Sequence, residues 1–166
     1  MKKVGIVMGS DSDLPVIEKT VAILKELKIP YEVHVYSAHR TPEQAREFAV
    51  TARSEGFGVL IAAAGMAAHL AGAIAANTTL PVIGIPCKGP VLDGLDALLS
   101  TVQMPSGIPV ATVAVNGGAN AALLAAQILA VEDAELAARL DVKRASDAAG
   151  VLVKDRIIME KLNQNG

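Results

Sequence analysis

His39 and Arg40 stand side by side in the stretch 36–42, which reads Tyr-Ser-Ala-His-Arg-Thr-Pro. A histidine side chain gives and takes protons near neutral pH, and the planar guanidinium of arginine binds phosphate. The stretch follows an alternating apolar run and ends on Thr41 and Pro42, residue types that begin helices. We therefore expect both side chains at the carboxyl-terminal edge of a sheet, where α/β proteins bind ligands, and we predict proton transfer on a phosphorylated substrate.

A second candidate loop spans residues 9–13, Gly-Ser-Asp-Ser-Asp, and a helical pattern follows it. Free backbone amides at a helix start and two serine hydroxyls favour an anion there. The loop has neither the lysine of a nucleoside triphosphate loop nor the spacing of a dinucleotide fingerprint, so it predicts a single phosphate. Asp13 is suited to accept hydrogen bonds from ribose hydroxyls. The alternative, in which Ser12 and Asp13 only cap the helix, stays open from this loop alone.

Three further residues carry reactive side chains. His69 begins the helix after the third predicted strand, and we favour contact with the substrate over a capping role. His34 lies inside a predicted strand, where a half-buried structural role is the better interpretation. Cys87 is the only cysteine, and a buried thiol is the better interpretation for it. No cluster of cysteine, histidine and carboxylate has metal-ligand spacing, and no serine sits in a nucleophile elbow, so no metal is predicted.

Five short apolar runs alternate with helical patterns along the chain, which is typical of a parallel sheet with right-handed crossovers. The strands are predicted at residues 4–8, 31–36, 58–64, 81–86 and 109–113. The helices are predicted at 14–28, from 42 onward, from about 69 to 77, at 94–102, at 118–131 and from 133 onward. A capping box is expected at Thr41 and Gln44, and Gly150 is expected to weaken the last helix.

These elements predict an α/β fold, a three-layer sandwich with a central five-stranded parallel sheet of flavodoxin-like strand order. The switch point of that order lies between strands one and three, so the loops at 9–13, 37–41 and 65–69 should converge on one crevice. Residues 1–166 are predicted to form a single domain with a helical C-terminal tail from about residue 133.

The composition of the chain argues against nucleic-acid-binding, secreted and membrane-spanning proteins. The chain of 166 residues is 52% hydrophobic, 19% charged and only 2% aromatic, with a net charge of −2, which argues against nucleic acid as a partner. One cysteine permits no intrachain disulfide, and Asp11 and Asp13 interrupt any signal-like segment, so we expect a cytoplasmic protein. The uncharged stretches 56–87 and 97–131 are cut by proline, glycine and asparagine, which favours buried strands and small-residue helices over membrane spans.

Five motifs occur in order along the chain: MGSDSD at 8–13, SAHRTP at 37–42, AAHL at 67–70, VQMP at 102–105 and NAALLAA at 120–126. Together they resemble the PurE family of purine biosynthesis, over about residues 4–140. Arg40 and the AAHL segment favour the class I branch, whose members are N5-carboxyaminoimidazole ribonucleotide mutases. Class II members, which carboxylate aminoimidazole ribonucleotide directly with carbon dioxide, typically have lysine after the loop histidine and lack AAHL.

The resemblance implies roles for particular residues. It assigns phosphate binding to Ser10 and Arg40, ribose binding to Asp13, and proton transfer to His39 with His69 as a second active-site histidine. The remaining residues implied to line the substrate pocket are Ser37, Ala38, Gly65, Ala68 and Leu70. The family pattern is broken at Met66, where glycine is usual, and at residues 89–93, where a small polar loop is commoner; both bear on the shape of the pocket.

The implied reaction needs no cofactor. The substrate loses its N5-carboxylate as carbon dioxide, which stays trapped until C4 of the ring attacks it. The resemblance also implies a homo-octamer. The small residues of the helix at 118–131 suit it to pack between the subunits of that octamer, with the charged tail reaching a neighbour. Three alternatives stay open: direct class II-like carboxylation, carboxylation of another mononucleotide such as nicotinic acid mononucleotide, and a non-catalytic mononucleotide-binding module.

Overall fold

The computed structural model describes residues 1–163; the last three residues of the predicted domain, 164–166, lie outside the described residues. The strands are β1 (Lys3–Met8), β2 (Tyr31–Val35), β3 (Phe57–Gly65), β4 (Val82–Cys87) and β5 (Ala111–Thr112). The helices are α1 (Leu14–Glu26), α2 (Pro42–Thr51), α3 (Leu70–Ala75), α4 (Leu95–Val102), α5 (Gly118–Ala130) and α6 (Ala134–Leu162). A short 3-10 turn, Asp11–Asp13, links β1 to α1.

The five strands form one parallel sheet in the order β2-β1-β3-β4-β5. This order is the flavodoxin-like one, so the predicted fold class is confirmed. The first crossover connects β1 to β2, which forms one edge of the sheet. The second crossover passes back over β1 to β3, which pairs with the other side of β1. The carboxyl end of β1 therefore lies at the switch point of the sheet, where a crevice opens between loops that diverge.

Two hydrophobic cores cover the two faces of the sheet, because successive side chains of a strand point to opposite faces. Ile6 and Ile61 belong to one core, together with apolar residues of α1 and α5 such as Leu24 and Ala125. The other core is built by Val7 and other strand residues with α2 and α3, and its main contributors are Leu60, Ala62, Val82, Phe48, Ala49 and Ile74. The molecule is therefore the predicted three-layer sandwich.

Helices α1 and α5 approach each other closely at Gly118. A Cβ atom at Gly118 would lie 2.2 Å from the carbonyl oxygen of Val16, so only glycine fits there without displacing backbone. The buried Thr20 hydroxyl donates a hydrogen bond to the Gly118 carbonyl oxygen over 2.9 Å. This contact fixes α1, which begins at the functional edge of β1, against α5.

Helix α6 begins close to the predicted start of the helical tail. It runs without interruption from Ala134 to Leu162, so Gly150 does not end the helix. A single glycine lowers the stability of a helix by about 1 kcal/mol relative to alanine, which a helix of this length tolerates. The Asp133 side chain caps its start by accepting a hydrogen bond from the Leu136 amide over 2.9 Å.

The uncharged stretches do not form membrane-spanning segments in the part of the chain that the structure describes. None of the helices in residues 1–163 is both long enough and apolar enough to cross a bilayer. The stretches instead supply β3, β4, β5, α3, α4 and α5, whose small and branched residues fill the two cores.

Candidate active site

The loop after β1 is held at both ends. The Gly9 amide donates to the carbonyl oxygen of Ala63 on β3 over 3.1 Å. The Ser10 hydroxyl oxygen accepts a hydrogen bond from the Ser12 amide over 3.3 Å and so caps the 3-10 turn. Asp13 makes no side-chain capping bond to α1. The interpretation in which Ser12 and Asp13 serve only as caps is therefore wrong, because Ser10 caps the turn and the Asp13 carboxylate is left for another partner.

The loop after β2 is a tight turn organised by Ser37. The hydroxyl oxygen of Ser37 accepts hydrogen bonds from the amides of His39 and Arg40, over 3.3 Å and 3.2 Å. The Thr41 hydroxyl oxygen accepts from the Ser37 amide over 2.8 Å. Thr41 consequently makes no side-chain cap for α2, and the predicted capping box is wrong. Its hydroxyl closes the turn that carries His39 and Arg40, whose side chains are both exposed.

Arg40 connects the two loops. Its Nη2 atom donates a hydrogen bond to the carbonyl oxygen of Gly9 over 3.1 Å. A guanidinium group has five N–H donors in one plane, so this bond orients the group and leaves further donors for a ligand. A cation and the Ser10 hydroxyl thus lie at the same end of the crevice, an arrangement suited to a phosphate.

The loop after β3 packs tightly against β4. A Cβ atom at Gly65 would lie 3.2 Å from the Cys87 carbonyl oxygen, which accounts for glycine at this position. Met66 follows with φ of +52°, a left-handed conformation that glycine adopts more readily, and its side chain is 63% exposed. The Ala68 carbonyl oxygen accepts a hydrogen bond from the buried Thr101 hydroxyl over 3.2 Å, which anchors the end of the loop to α4.

His69 lies beside the crevice rather than on its wall. Its imidazole covers the first turn of α3, where a Cβ atom at Gly72 would lie only 2.3 Å from the His69 Cε1 atom. The missing side chain of Gly72 therefore makes room for the ring. His69 itself is exposed, whereas the preceding Ala68 is buried.

The three loops converge on one cleft, as predicted. Its volume is about 690 Å³. Of the ten residues predicted for the site, the wall includes Ser10, Asp13, Ser37, Ala38, His39, Arg40, Gly65 and Leu70, and it does not include Ala68 or His69. Ala64, Met66 and Ala67 add a largely apolar side near Leu70.

A fourth loop, after β4, completes the cleft. The sequence indicated that residues 89–93 bear on the shape of the pocket, but Lys88 was missed. The loop contributes Lys88, Gly89 and Pro90. The Lys88 amide donates to Asn116 Oδ1 over 2.9 Å, and Lys88 Nζ lies 2.9 Å from an Asp93 carboxylate oxygen. The signal was available, because every strand of a parallel sheet delivers its following loop to the same edge.

Asp13, on the wall of the cleft, and the buried Cys87 shift each other's pKa. Burial raises the pKa of the Asp13 carboxyl group above its ordinary value, and a hydrogen bond with the Cys87 thiol partly opposes this effect. Burial, reinforced by the negative charge of Asp13, raises the pKa of Cys87 to about 12. Cys87 is 3% exposed and is a protonated, buried thiol at neutral pH, as the sequence indicated.

The cleft combines an anion-binding corner, a half-buried hydrogen-bond acceptor, an exposed histidine on a rigid turn and an apolar side. Among residues 1–163, no group of three or more histidine, cysteine, aspartate or glutamate side chains is placed to hold a metal ion. The side chains present suit a phosphorylated ligand with hydroxyl groups, and proton transfer by His39.

Comparison with known proteins agrees with this geometry. A family model described as AIR carboxylase matches residues 3–149. The N5-carboxyaminoimidazole ribonucleotide mutase of Pyrococcus abyssi is 54% identical over 149 residues, covering 87% of this chain and 86% of that protein. The enzyme of the same name from Bacillus subtilis is 54% identical over 151 residues, covering 90% of this chain and 93% of that protein.

Two further matches extend the comparison. The phosphoribosylaminoimidazole carboxylase of Saccharomyces cerevisiae is 51% identical over 151 residues, which cover 91% of this chain but 26% of that protein. The crystal structure of Treponema denticola PurE has a TM-score of 0.80 and 31% identity, covering 97% of this chain and 98% of that one. Since the family model and full-length relatives span most of its residues, this chain belongs to the AIR carboxylase family, the PurE family.

Proposed function

We propose that this protein is an N5-carboxyaminoimidazole ribonucleotide mutase, which converts that substrate to 4-carboxy-5-aminoimidazole ribonucleotide. The observation that carries the proposal is the junction of the Gly9 and Ser37 loops, where the Arg40–Gly9 bond places an anion-binding corner beside the turn that presents His39. Two relatives of nearly the same length carry the mutase name.

The substrate's single phosphate binds at Ser10 and Arg40 in this proposal. Asp13 lies one helical turn further along and is half-buried, so its carboxylate accepts hydrogen bonds from the ribose hydroxyls. Ser37 and Ala38 line the wall between them. These contacts hold the imidazole ring between the His39 turn and the apolar side of the cleft. The ring and the His39 side chain are then already positioned for reaction, which lowers the entropic part of the barrier.

The chemistry then takes place in two balanced steps. In the first, the C–N bond of the N5-carboxylate breaks, carbon dioxide leaves, and protonated His39 supplies the proton for the departing nitrogen. In the second, C4 of the ring attacks the carbon dioxide, a C–C bond forms, and neutral His39 accepts the C4 proton. The residue returns to its starting state, so the net change is an isomerisation.

Carbon dioxide has to stay beside the ring between the two steps. Ala64, Gly65, Ala67 and Leu70 form an apolar side of the cleft that offers it no competing charge. Ala68 supports this loop through its bond to Thr101. We assign His69 to the edge of the same region as a second active-site histidine, because its ring lies over Gly72 next to the loop end.

An ultraviolet assay of the purified protein tests the function. Each ribonucleotide, the N5-carboxylated one and the uncarboxylated one, is supplied with bicarbonate absent and in excess. A mutase converts the N5-carboxylated substrate at a rate independent of added bicarbonate. Turnover only of aminoimidazole ribonucleotide, and only at high bicarbonate, would instead establish direct carboxylation, which the Saccharomyces cerevisiae relative's name brings into view.

We also propose that the protein assembles as a homo-octamer. From Arg144 to the end of α6 every described residue is exposed, including Val151, Leu152, Ile157 and Ile158. An isolated helix with so many exposed apolar side chains is marginal in water, so packing against other subunits is expected to stabilise it. Light scattering coupled to size exclusion measures the mass; a monomer at micromolar concentration would exclude the assembly.

A further inference from the structure

Lys88 is the cation on the wall of the cleft that the proposed mechanism leaves unused. It follows directly after β4, whereas Arg40 follows β2, and β1 and β3 lie between those strands. Three strand spacings separate β2 from β4, which is about 14 Å. The backbones that carry the two cations therefore lie at opposite ends of the cleft, and the Arg40 guanidinium bonds Gly9 at the end of β1. The one carboxylate on the wall, among the residues described, is Asp13.

The backbone of Lys88 is rigidly held. Its amide donates to Asn116 Oδ1 over 2.9 Å, and the Asn116 amide donates to the Pro86 carbonyl oxygen over 2.9 Å. Asn116 adopts a left-handed φ of +57° to make both contacts. Such a conformation is uncommon for a residue other than glycine, and asparagine tolerates it best. The origin of the Lys88 side chain is thus fixed at the cleft.

The amine end of Lys88 has an exchangeable partner. Nζ lies 2.9 Å from Asp93 Oδ1, and the two side chains are 57% and 85% exposed. An ion pair this open to solvent contributes little to stability, because water screens the charges and both side chains lose rotational freedom. Because the Lys88–Asp93 pair is weak, the carboxylate of a ligand bound inside the cleft can replace Asp93 as the partner of Lys88.

We propose that Lys88 is a specificity residue that binds the carboxylate of the ligand, exchanging Asp93 for it while Arg40 holds the phosphate at the opposite end. This inference rests on the proposed function, since it takes the ligand to be a carboxylated ribonucleotide. Lys88 favours the carboxylated ligand over aminoimidazole ribonucleotide, which has the same ribose phosphate without a carboxylate.

The positive charge of Lys88 is expected to help substrate binding and not to accelerate the chemical step. An ammonium group stabilises a carboxylate more than it stabilises neutral carbon dioxide, so it does not lower the barrier to C–N cleavage. Loss of Lys88 should therefore raise KM and leave kcat unchanged or slightly higher.

Calorimetric titration of the full chain with 4-carboxy-5-aminoimidazole ribonucleotide and with aminoimidazole ribonucleotide tests the proposal. Lys88→Met should weaken binding of the carboxylated nucleotide about fivefold and change binding of the uncarboxylated one less than about twofold. Asp93→Asn removes the competitor and should tighten binding of the carboxylated nucleotide. Lys25→Met, which removes an exposed lysine of α1 away from the cleft, is the matched control and should change neither constant.

Two results would overturn the proposal: an equal loss for both nucleotides in Lys88→Met, or weaker binding of the carboxylated nucleotide in Asp93→Asn. Lys88→Gln, with the same titrations, replaces Lys88→Met if that variant does not fold. Suppose that the wild-type protein turns over the N5-carboxylated substrate, and that Lys88→Met still prefers the carboxylated nucleotide to the uncarboxylated one. That result refutes the role of Lys88 but leaves the proposed function in place. A wild-type protein that neither binds nor turns over either nucleotide refutes both proposals.

Discussion

Arg40 donates a hydrogen bond from Nη2 to the carbonyl oxygen of Gly9 over 3.1 Å, and this bond joins the loop after β2 to the loop after β1. The turn that carries Arg40 also carries His39, and the Ser37 hydroxyl fixes both backbone amides. In the proposed mechanism, phosphate binding and proton transfer are therefore coupled through one short, rigid segment.

Arg40→Lys should weaken mononucleotide binding about tenfold, because lysine keeps the charge but loses the planar donors that bond Gly9 and, in the proposed function, bind the phosphate as well. The melting temperature should change little, since the side chain is exposed. Isothermal titration with aminoimidazole ribonucleotide measures the effect. An unchanged dissociation constant would remove Arg40 from the phosphate site. Arg156→Lys, on the exposed half of α6, is the matched control.

His39→Asn should retain mononucleotide binding within about twofold and lose turnover by about 100-fold or more, because the amide cannot carry a proton between the two steps. The His39 amide, not its side chain, makes the bond to Ser37, so the turn should remain intact. Single-turnover assays and titration of the same preparation separate the two effects. Near-normal activity would exclude His39 from the mechanism.

Asp13→Asn should raise the melting temperature at pH 7. Burial raises the pKa of the Asp13 carboxyl group in the folded protein above its ordinary value of 3.8, so the folded state binds this proton more tightly than the unfolded chain does. Ionisation of Asp13 accordingly lowers the stability of the wild type as pH rises from 3.8 through the raised pKa. The asparagine variant avoids this loss.

The advantage of Asp13→Asn should shrink as the pH falls below the raised pKa, because the wild-type carboxyl group is then neutral too. Differential scanning fluorimetry from pH 3.5 to about pH 8 measures it, in steps fine enough to follow one titration. Asp11→Asn changes an exposed carboxylate of the same loop and should show no such pH-dependent difference. A constant difference at all pH values would attribute the effect to something other than Asp13 ionisation.

Met66→Gly should stabilise the protein by up to about 1 kcal/mol, because Met66 holds a φ of +52° that glycine adopts without strain. The methionine side chain is 63% exposed, so little packing is lost. Chemical denaturation compares this variant with Ala67→Gly, where the neighbouring residue is exposed and has no positive φ. Ala67→Gly should be destabilising; the same sign in both variants would show that Met66 is not strained.

Gly118→Ala should destabilise the protein by about 1–3 kcal/mol, because the added Cβ atom would lie 2.2 Å from the Val16 carbonyl oxygen and must force α1 and α5 apart. Gly150→Ala is the matched control, since a Cβ atom there meets nothing within 4 Å; it should instead stabilise α6 by about 0.5–1 kcal/mol. Urea denaturation monitored by circular dichroism measures both changes. A neutral Gly118→Ala would mean that α1 and α5 separate at no cost.

The interpretation of the sequence failed where a side chain had more than one possible partner. Thr41 has the residue type and position of a helix cap, yet its hydroxyl bonds the Ser37 amide four residues earlier. Lys88 was missed although its position directly after β4 indicated the cleft. What its local sequence does not indicate is the contact with Asn116, 28 residues further along the chain, that fixes its backbone.

The strand order was predicted from the order that known five-stranded folds of this kind adopt. The alternation of strand and helix patterns was itself sufficient to predict the parallel sheet and the edge at which the loops of Ser10, His39 and Gly65 meet. Those features depend on hydrophobic periodicity and on the handedness of crossovers, which are local or nearly universal. Only the tertiary structure decided which way each side chain points from that edge. Direction depends on contacts between distant segments, such as Arg40 with Gly9 and Lys88 with Asn116, and those contacts exist only once the sheet has formed.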